Sequence, residues 1–199
     1  MTDSAKTERH YPSGSKARIE TVSSELLARR GYNGMGLKAV SEAAGLPYGS
    51  IYHHFPGGKE EIAASAIGSV GTVVGGLLET LFASRPPDKA VRAMFDHMSG
   101  RLAASEWADG CPVGTPAQDG AADSEAVRHA CDVALEVMVT AVSAALVDAG
   151  LKRKLAGELG TTIVAAYEGA TMLARVQRSA VPLQAAGNTM ARLVKASLA

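Results

Sequence analysis

The stretch LKAVSEAAGLPYGSIYHHFPGGKEEI, residues 37–62, joins two short segments of helical periodicity through a tight turn. Apolar side chains recur at helical spacing up to Ala44, and Gly45 then permits the positive φ at which helices commonly end. Pro47 suits the first position of the next helix, because its missing N–H has no partner there. The Pro-Gly-Gly run at 56–58 ends this second helix after His54. The stretch therefore predicts a short helix, a turn and another short helix.

Two short helices joined by a glycine turn are typical of a helix-turn-helix, whose second helix enters the major groove of DNA. A helix without bulk at Gly49 and Ser50 can enter the groove deeply, while flanking aromatic residues with polar tips reach phosphates or bases. The apolar residues expected to pack against the preceding helix are Leu37, Val40, Leu46 and Ile51. The residues left to face outward are Tyr48, Gly49, Ser50, Tyr52 and His53.

The composition excludes several classes of protein. The chain has 199 residues, of which 47% are hydrophobic and 20% charged, as in folded globular proteins rather than disordered ones. The sequence has no uninterrupted apolar run of about 18 residues, the length of a membrane-spanning helix. Its polar N-terminus lacks the apolar core of a signal peptide. We therefore expect a cytoplasmic protein without a membrane partner, with a flexible tail over residues 1–14.

Charge is balanced overall but not along the chain. The formal net charge is zero, which argues against a general polyanion binder. Residues 1–60 carry eight Lys or Arg against six Asp or Glu, whereas residues 61–199 carry twelve against fourteen. The basic part is thus the N-terminal one, where the opening stretch lies.

Helical periodicity dominates the remaining sequence, and no alternating strand pattern is evident. A first helix is predicted over residues 16–30, ending at Gly31, and Asp88 is expected to cap a later one. The Pro- and Gly-rich segment 109–123 is expected to hold at most a short helix. Long helices are predicted over residues 59–81, 88–108, 127–149, 155–179 and 183–198, the last two separated at Pro182. The predicted fold is all-α, with a three-helix DNA-binding domain over residues 15–60 and a helical domain over residues 61–199.

The opening stretch, together with Gly31-Tyr32, closely resembles the DNA-binding segment of the TetR family of transcriptional regulators. The resemblance covers roughly residues 15–65, on runs that keep the family's register: Ala43-Ala44-Gly45-Leu46, Gly49 to Phe55, and Lys59-Glu60-Glu61. The sequence FPGGKEE and the later Gly110-Cys111-Pro112-Val113 are similar to the LmrA/YxaF subgroup, a looser match.

The resemblance implies that the second short helix is the recognition helix, with DNA contacts from Pro47, Tyr48, Gly49, Ser50, Tyr52 and His53. It aligns Lys59 with a phosphate contact at the start of the following helix, where free N–H groups and the helix dipole also favour an anion. Lys38 is a further candidate for the DNA backbone. Gly36 stands where many members carry Thr or Ser, which removes a hydroxyl and weakens the local N-cap.

The resemblance also implies that the C-terminal domain binds a small effector and dimerises. Met and aromatic side chains suit an adaptable apolar pocket, and Trp107, beside the Pro- and Gly-rich segment, is the best single candidate. Core packing remains an alternative for every one of them. The candidate ligand-binding residues are Phe82, Met94, Phe95, Met98, Trp107, Met138, Tyr167 and Met172.

The last two predicted helices are the candidate dimer elements, since their small residues permit close helix approach. A dimer also suits paired recognition helices that bind the half-sites of a palindrome. The small residues are Gly157, Gly160, Gly169, Ala170, Ala185, Ala186 and Gly187.

No metal or cofactor is predicted. Neighbouring residues on a helix diverge by about 100°, so His53 and His54 cannot converge on one ion. His54 and Phe55 are instead expected to pack beneath the turn. Cys111 and Cys131 fit no zinc spacing and are expected to be buried, inert thiols.

The sequence therefore predicts a homodimeric, ligand-responsive repressor that leaves a palindromic DNA operator when a small apolar or aromatic effector binds. One alternative is a small-molecule-binding helical protein with lost or weak DNA binding. Another is an enzyme using Cys111 with His97 or His129, but no nucleophile motif, metal spacing or phosphate loop supports it, and we predict that the chain is not an enzyme. The sequence specifies neither the effector nor the operator.

Overall fold

The computed structural model describes residues 14–199, and over this range the chain folds into nine α-helices without a strand. The all-α prediction is confirmed. The predicted tail lies outside the described residues, apart from Gly14. The helices are α1 Ser15–Gly34, α2 Leu37–Ala44, α3 Tyr48–His54, α4 Lys59–Ala83, α5 Pro87–Ala104, α6 Gly114–Asp119, α7 Glu125–Asp148, α8 Arg153–Gln177 and α9 Val181–Ser197.

α1 breaks at Gly31, where the sequence predicted its end. Gly31 has a φ of 69° and a ψ of −177°, which are not helical, and one further turn then runs to Gly34. Beyond the break, the N–H groups of Tyr32 and Asn33 each donate to the Asp119 carboxylate at 2.9 Å. A Cβ at position 31 would overlap this carboxylate, so both the backbone and the available space require glycine.

α2 and α3 form the predicted helix-turn-helix. Gly45 ends α2 in the left-handed conformation, with φ 63° and ψ 34°. The turn is closed from both sides: the Leu46 N–H donates to the Ser41 carbonyl at 3.1 Å, and the Ser41 hydroxyl donates to the Leu46 carbonyl at 2.6 Å. Val40 and Ile51 are fully buried beneath it. Backbone bonding and apolar burial together fix the direction of α3.

The long helices pack in an order that differs from their order in the chain. α4 lies on α7, α7 on α8, α8 on α9 and α9 on α5, while α1 contacts α4 and α6. Glycines permit the close approaches, since Gly71 of α4 faces Ala134 of α7 and Gly160 of α8 faces Ser143 of α7. α1 therefore packs against this helical domain and also contacts α2 and α3 of the helix-turn-helix. The boundary predicted at residue 60 remains a prediction, because α4 runs across it without a break.

α5 differs from the prediction at both ends. Its N-cap is Pro86, so Asp88 lies in the first turn and the prediction that it caps the helix was wrong. The helix ends at Ala104 rather than at residue 108, because Glu106 and Trp107 turn to positive φ values of 52° and 64°.

The predictions for α3, α6 and α9 differ less from the structure. The segment 109–123 contains only the short α6, as expected. Pro47 is the N-cap of α3 and not its first helical residue. The last two helices are separate, as predicted, but the break lies at residues 178–180, and Pro182 falls in the first turn of α9. A proline near the start of a helix removes no hydrogen bond, which explains why the helix tolerates it.

α4 and α7 are long and apolar enough to cross a membrane by length and composition, with mean hydropathies of 1.5 and 1.9. In the fold they pack on each other, and their buried faces include Ile67, Leu78, Met138 and Leu146. Of the most apolar stretch of each helix, 33% is buried in α4 and 28% in α7.

Candidate DNA-binding surface and cavities

α3 presents an exposed aromatic face. Tyr48 and Tyr52, one turn apart, are each 47% exposed. The edge of the Tyr52 ring packs beside the turn at Gly58. His53 is exposed and His54 half-buried, with their rings edge to face and the centroids 5.1 Å apart. This burial pattern agrees with an outward role for His53 and a packing role for His54.

Gly49, on the same helix, has no reason within the fold to be glycine. A Cβ built on it meets no heavy atom within 4 Å, and its backbone is not in the positive-φ region. Alanine would stabilise a helix here by about 0.5–1 kcal/mol. The missing side chain therefore suits a surface that another molecule approaches closely.

The other predicted contacts from α2 and α3 lie around this face. Pro47 is exposed at the start of α3, and Ser50 is half-buried. Lys38 is exposed, and its Nζ lies 3.9 Å from the Glu42 carboxylate, one helical turn further along α2. Because exposed ion pairs contribute little free energy, Lys38 can exchange this partner for a phosphate.

Lys59, predicted to contact a phosphate, is held against an aromatic ring. Its Nζ lies 4.2 Å from the centroid of the Tyr32 ring, within cation–π distance. Nearby, the Glu61 carboxylate accepts from the Gly57 N–H at 2.7 Å. The ammonium group is thus positioned before any DNA arrives, and its phosphate contact remains a prediction.

Contacts that the sequence analysis missed join α1 to the segment 105–124 and to α8. The Gly110 N–H donates to the Ala28 carbonyl at 2.9 Å. The Arg175 guanidinium donates to the carbonyls of Arg29, at 2.7 Å, and Ala108, at 3.0 Å. Together with Asp119 at the Gly31 break, these contacts form what we call the α1 clamp, consisting of Gly110, Asp119 and Arg175. It connects the helix-turn-helix to the helical domain.

Two cavities open in the helical domain. A groove of about 900 Å³ lies between α4 and α7. The second cavity, of about 470 Å³, lies between α8 and the segment 107–118, and we call it the Glu168 pocket. The groove is bordered by four exposed carboxylates, those of Glu79, Asp132, Glu136 and Asp148. Polar side chains of the pocket are Cys111, Thr115, Gln118, Glu168, Thr171, Arg175 and Arg178.

The candidate ligand-binding residues separate into two groups. Three of them line a cavity: Phe82 lines the groove, whereas Trp107 and Met172 line the Glu168 pocket. The others are buried in the core, as their alternative assignment expects, and line neither cavity. Their role as ligand contacts remains a prediction. This second group is Met94, Phe95, Met98, Met138 and Tyr167.

Glu168 provides the smaller cavity with a buried carboxyl group. Burial raises the pKa of its carboxyl group, because little water is left to solvate the charged form. The Cys111 thiol bonds to this carboxyl group, yet Glu168 Oε1 is buried without a hydrogen-bond partner in the protein. A Cβ at position 114 would overlap the carboxylate, so Gly114 leaves room for it. No apolar periodicity marks Glu168, which explains why the sequence analysis missed it.

Both cysteines are buried, as predicted. Burial, and next the nearby Glu168 carboxylate, raise the pKa of Cys111 well above its usual value. Burial also raises the pKa of Cys131 to about 11. A protonated thiol is a poor nucleophile, so we expect both side chains to react slowly. Within the described residues, no group of three or more His, Cys, Asp or Glu side chains could hold a metal.

Comparison with known families gives two matches along the chain. Residues 21–66 match the model for bacterial regulatory proteins of the tetR family. Residues 87–189 match the model for the C-terminal domain of LmrA/YxaF-like transcriptional regulators. Two regulators from Bacillus subtilis are similar along most of their length. LmrA is 29% identical over 170 residues, which cover 85% of this chain and 90% of LmrA. YxaF is 31% identical over 170 residues, which cover 85% of this chain and 89% of YxaF.

Solved structures share the fold. A TetR transcriptional regulator from Legionella pneumophila gives a TM-score of 0.83 at 22% identity, covering 92% of this chain and 98% of the regulator. CifR gives a TM-score of 0.75 at 21% identity, covering 92% of this chain and 97% of CifR. A cysteine mutant of CifR was solved with double-strand operator DNA.

A helix-turn-helix with an exposed second helix, set against a helical domain, defines a DNA-binding transcriptional regulator. The chain belongs to the TetR family and carries an LmrA/YxaF-like C-terminal domain. Its relatives are transcriptional regulators and not enzymes, in agreement with the sequence prediction.

Proposed function

We propose that the chain acts as a homodimeric repressor that binds a palindromic operator and leaves it when a small apolar or aromatic effector binds. The observation that carries the DNA-binding part is Gly49, which is open and exposed between Tyr48 and Tyr52. The gap at Gly49 lets the α3 backbone approach base edges, and the two tyrosines can contact the flanking backbone. Operator binding assigns the chain to the cytoplasm.

A second copy of the chain is the proposed partner of an apolar surface on the last two helices. On α8, Met172, Leu173 and Val176 follow the spacing of one helix face and are 46% to 78% exposed. On α9, Val181 and Leu193 are 63% and 41% exposed. Exposed apolar side chains concentrated on two neighbouring helices are typical of an interface. We call this surface the α8–α9 face, defined by these five residues.

A homodimer would have the same two-fold symmetry as a palindromic operator. An isologous interface relates two α3 helices by a two-fold axis, which matches the symmetry of a palindrome. The cavities of the helical domain supply sites for an effector. Gly110 and Arg175 of the α1 clamp line the Glu168 pocket and connect it to the DNA-binding part. An effector that binds the DNA-free state more tightly lowers operator affinity by the same factor.

Sequencing of DNA fragments retained by the purified chain tests this function. We expect two inverted half-sites about one helical turn apart. A mobility-shift titration with the recovered sequence and with a scrambled one then measures selectivity. Equal binding of the two sequences at moderate salt would contradict the repressor and favour a small-molecule-binding protein that has lost DNA binding.

A further inference from the structure

The Glu168 pocket lies where three functional parts of the molecule meet. Arg175, on its wall, belongs to the α1 clamp and thus contacts the DNA-binding part. Met172 and Val176, also on its wall, belong to the α8–α9 face. The open groove between α4 and α7 has no residue of the clamp in its lining. A ligand in the pocket can therefore influence both the orientation of α1 and the proposed dimer.

Trp107, which lines this pocket, has an unusual backbone conformation. Its φ of 64° is rare for a bulky residue, and Glu106 before it also has a positive φ. The Trp107 N–H donates to the Leu102 carbonyl at 2.7 Å, which fixes the turn after α5. Backbone strain of this kind costs about 1–3 kcal/mol and is concentrated at ligand sites. In this backbone conformation, Trp107 lines the Glu168 pocket.

We propose that the Glu168 pocket is the effector site, and that its ligand is a small aromatic molecule whose hydrogen-bond donor pairs with Glu168, bound most tightly as a protonated amine. This inference rests on the proposed function as a ligand-responsive regulator. The unpartnered Oε1 of Glu168 is a buried acceptor, and a charged donor satisfies it best. Trp107 offers its ring to the aromatic part of the ligand.

Two arginines also line the pocket, but the buried, unpartnered carboxyl oxygen of Glu168 favours a cationic group over an anionic one. Arg175 is the basic group of the α1 clamp, and its Nη2 already donates to two backbone carbonyls. Arg178 also lines the pocket but is exposed, so water screens its charge. Burial leaves the Glu168 carboxylate poorly solvated and raises its pKa, and the hydrogen bonds of an ammonium group would stabilise the charged form. The carboxylates of the groove are exposed and already hydrated, so they gain less from such a ligand.

Three matched probes test the assignment: para-phenylbenzylamine, para-phenylbenzyl alcohol and para-phenylbenzoate. They share one aromatic body and differ in being cationic, neutral or anionic. Trp107 is the only tryptophan of the chain, so its fluorescence, excited at the red edge of its absorption, reports binding in the pocket directly. We expect saturable quenching, with the amine binding about tenfold more tightly than the alcohol and the benzoate weakest, as a charge-assisted bond predicts.

Two variants of the full-length chain locate the carboxylate responsible. Glu168→Gln is expected to weaken amine binding about tenfold and to leave the alcohol nearly unchanged, because only the charge is removed. Glu136→Gln, the control, removes an exposed carboxylate of the groove and is expected to change nothing. Circular dichroism and size-exclusion chromatography check that both variants keep the fold.

Several results would overturn the inference: equal affinity for the three probes, unchanged amine binding in Glu168→Gln, or loss of amine binding in Glu136→Gln. The titrations contain no DNA, whereas the proposed function is tested by operator binding without any probe. A failure of the proposed effector site is therefore distinguishable from a failure of the proposed repressor function.

Discussion

Arg175 of α8 donates a 2.7 Å hydrogen bond to the backbone carbonyl of Arg29 in α1, across 146 residues of sequence. The same guanidinium reaches the Ala108 carbonyl at 3.0 Å. The Arg29 carbonyl lies just before the break of α1 at Gly31, and the Ala108 carbonyl lies in the turn after α5. At such positions the regular helical hydrogen bonds are missing, so carbonyl acceptors are left unpaired. One side chain thus joins the DNA-binding part, the segment after α5 and the wall of the Glu168 pocket.

Replacing this arginine tests the α1 clamp. Arg175→Lys keeps the charge but loses the guanidinium Nη2, which donates to both carbonyls. We expect a loss of about 1–2 kcal/mol in the free energy of unfolding, the typical cost of removing a charged hydrogen bond. Urea denaturation measures it. Arg178→Lys, which alters an exposed arginine three residues away, is the control and should stay within about 0.5 kcal/mol of wild type. Equal effects of the two changes would argue against the clamp.

Gly49 separates DNA binding from stability. Gly49→Ala should raise the free energy of unfolding by about 0.5–1 kcal/mol, because the added methyl group meets only open space and alanine favours helix. The same methyl group should lower operator affinity about tenfold or more by preventing close approach to the groove. Gly68→Ala, at an equally open glycine of α4, should give the stability gain alone. Unchanged operator affinity in Gly49→Ala would remove α3 from the interface.

The α8–α9 face is tested by adding charge. The double change Leu173→Glu and Val176→Glu should convert the dimer to a monomer of 20.5 kDa, because an interface core does not accept unpaired carboxylates. Light scattering on a size-exclusion column measures the mass. Val73→Glu places a charge on an α4 residue that is 71% exposed and should leave the dimer intact. A dimer that persists in the double variant would contradict this interface.

The buried carboxyl group of Glu168 predicts a pH dependence. Its pKa is raised in the folded chain, so the folded state keeps this proton at a higher pH than the unfolded chain does. The stability linked to the neutral carboxyl group is complete below the ordinary value of 4.5 and falls as the pH rises through the folded pKa. Relative to wild type, Glu168→Gln should therefore gain stability over the range in which the pH rises above 4.5. Thermal unfolding across this range measures the difference, and a difference that does not vary with pH would contradict the shift.

The cysteines should resist alkylation in the folded protein. For Cys131, a rise in pKa from 9.0 to about 11 leaves about 100-fold less thiolate near neutral pH, before any shielding by burial is counted. Mass spectrometry after iodoacetamide treatment should show an unmodified native chain and two modifications in denaturant. Rapid native alkylation of Cys111 would instead revive a reactive role for this residue.

Local sequence signals predicted the parts of the fold that depend on neighbouring residues. Gly31 breaks α1 and Gly45 ends α2, because glycine enters positive φ without strain, and both have φ above 60°. The outward face of α3 followed from the period of its apolar residues. The end of α5 was not predicted, because Trp107 adopts a positive φ although it is not glycine. Its conformation depends on the tertiary structure around it.

The candidate ligand-binding residues show what local sequence signals do not predict. Met94 and Trp107 both looked suited to an effector pocket, yet Met94 is packed in the core while Trp107 lines a cavity. Residue type predicts that a side chain leaves water, but it does not distinguish a filled space from an open one. Glu168 gave no signal at all, because a carboxylate in a helical sequence is usually exposed.

The sequence by itself determined an all-α regulator with a helix-turn-helix, since helix periodicity, glycine stops and the opening stretch are properties of short segments. Only the tertiary structure decided where Asp119, Glu168 and Arg175 act. Asp119 and Arg175 bond to backbone groups 87 and 146 residues away, and Glu168 acquires its raised pKa from burial. Desolvation and long-range hydrogen bonds depend on which helices pack together, and no local pattern carries that information.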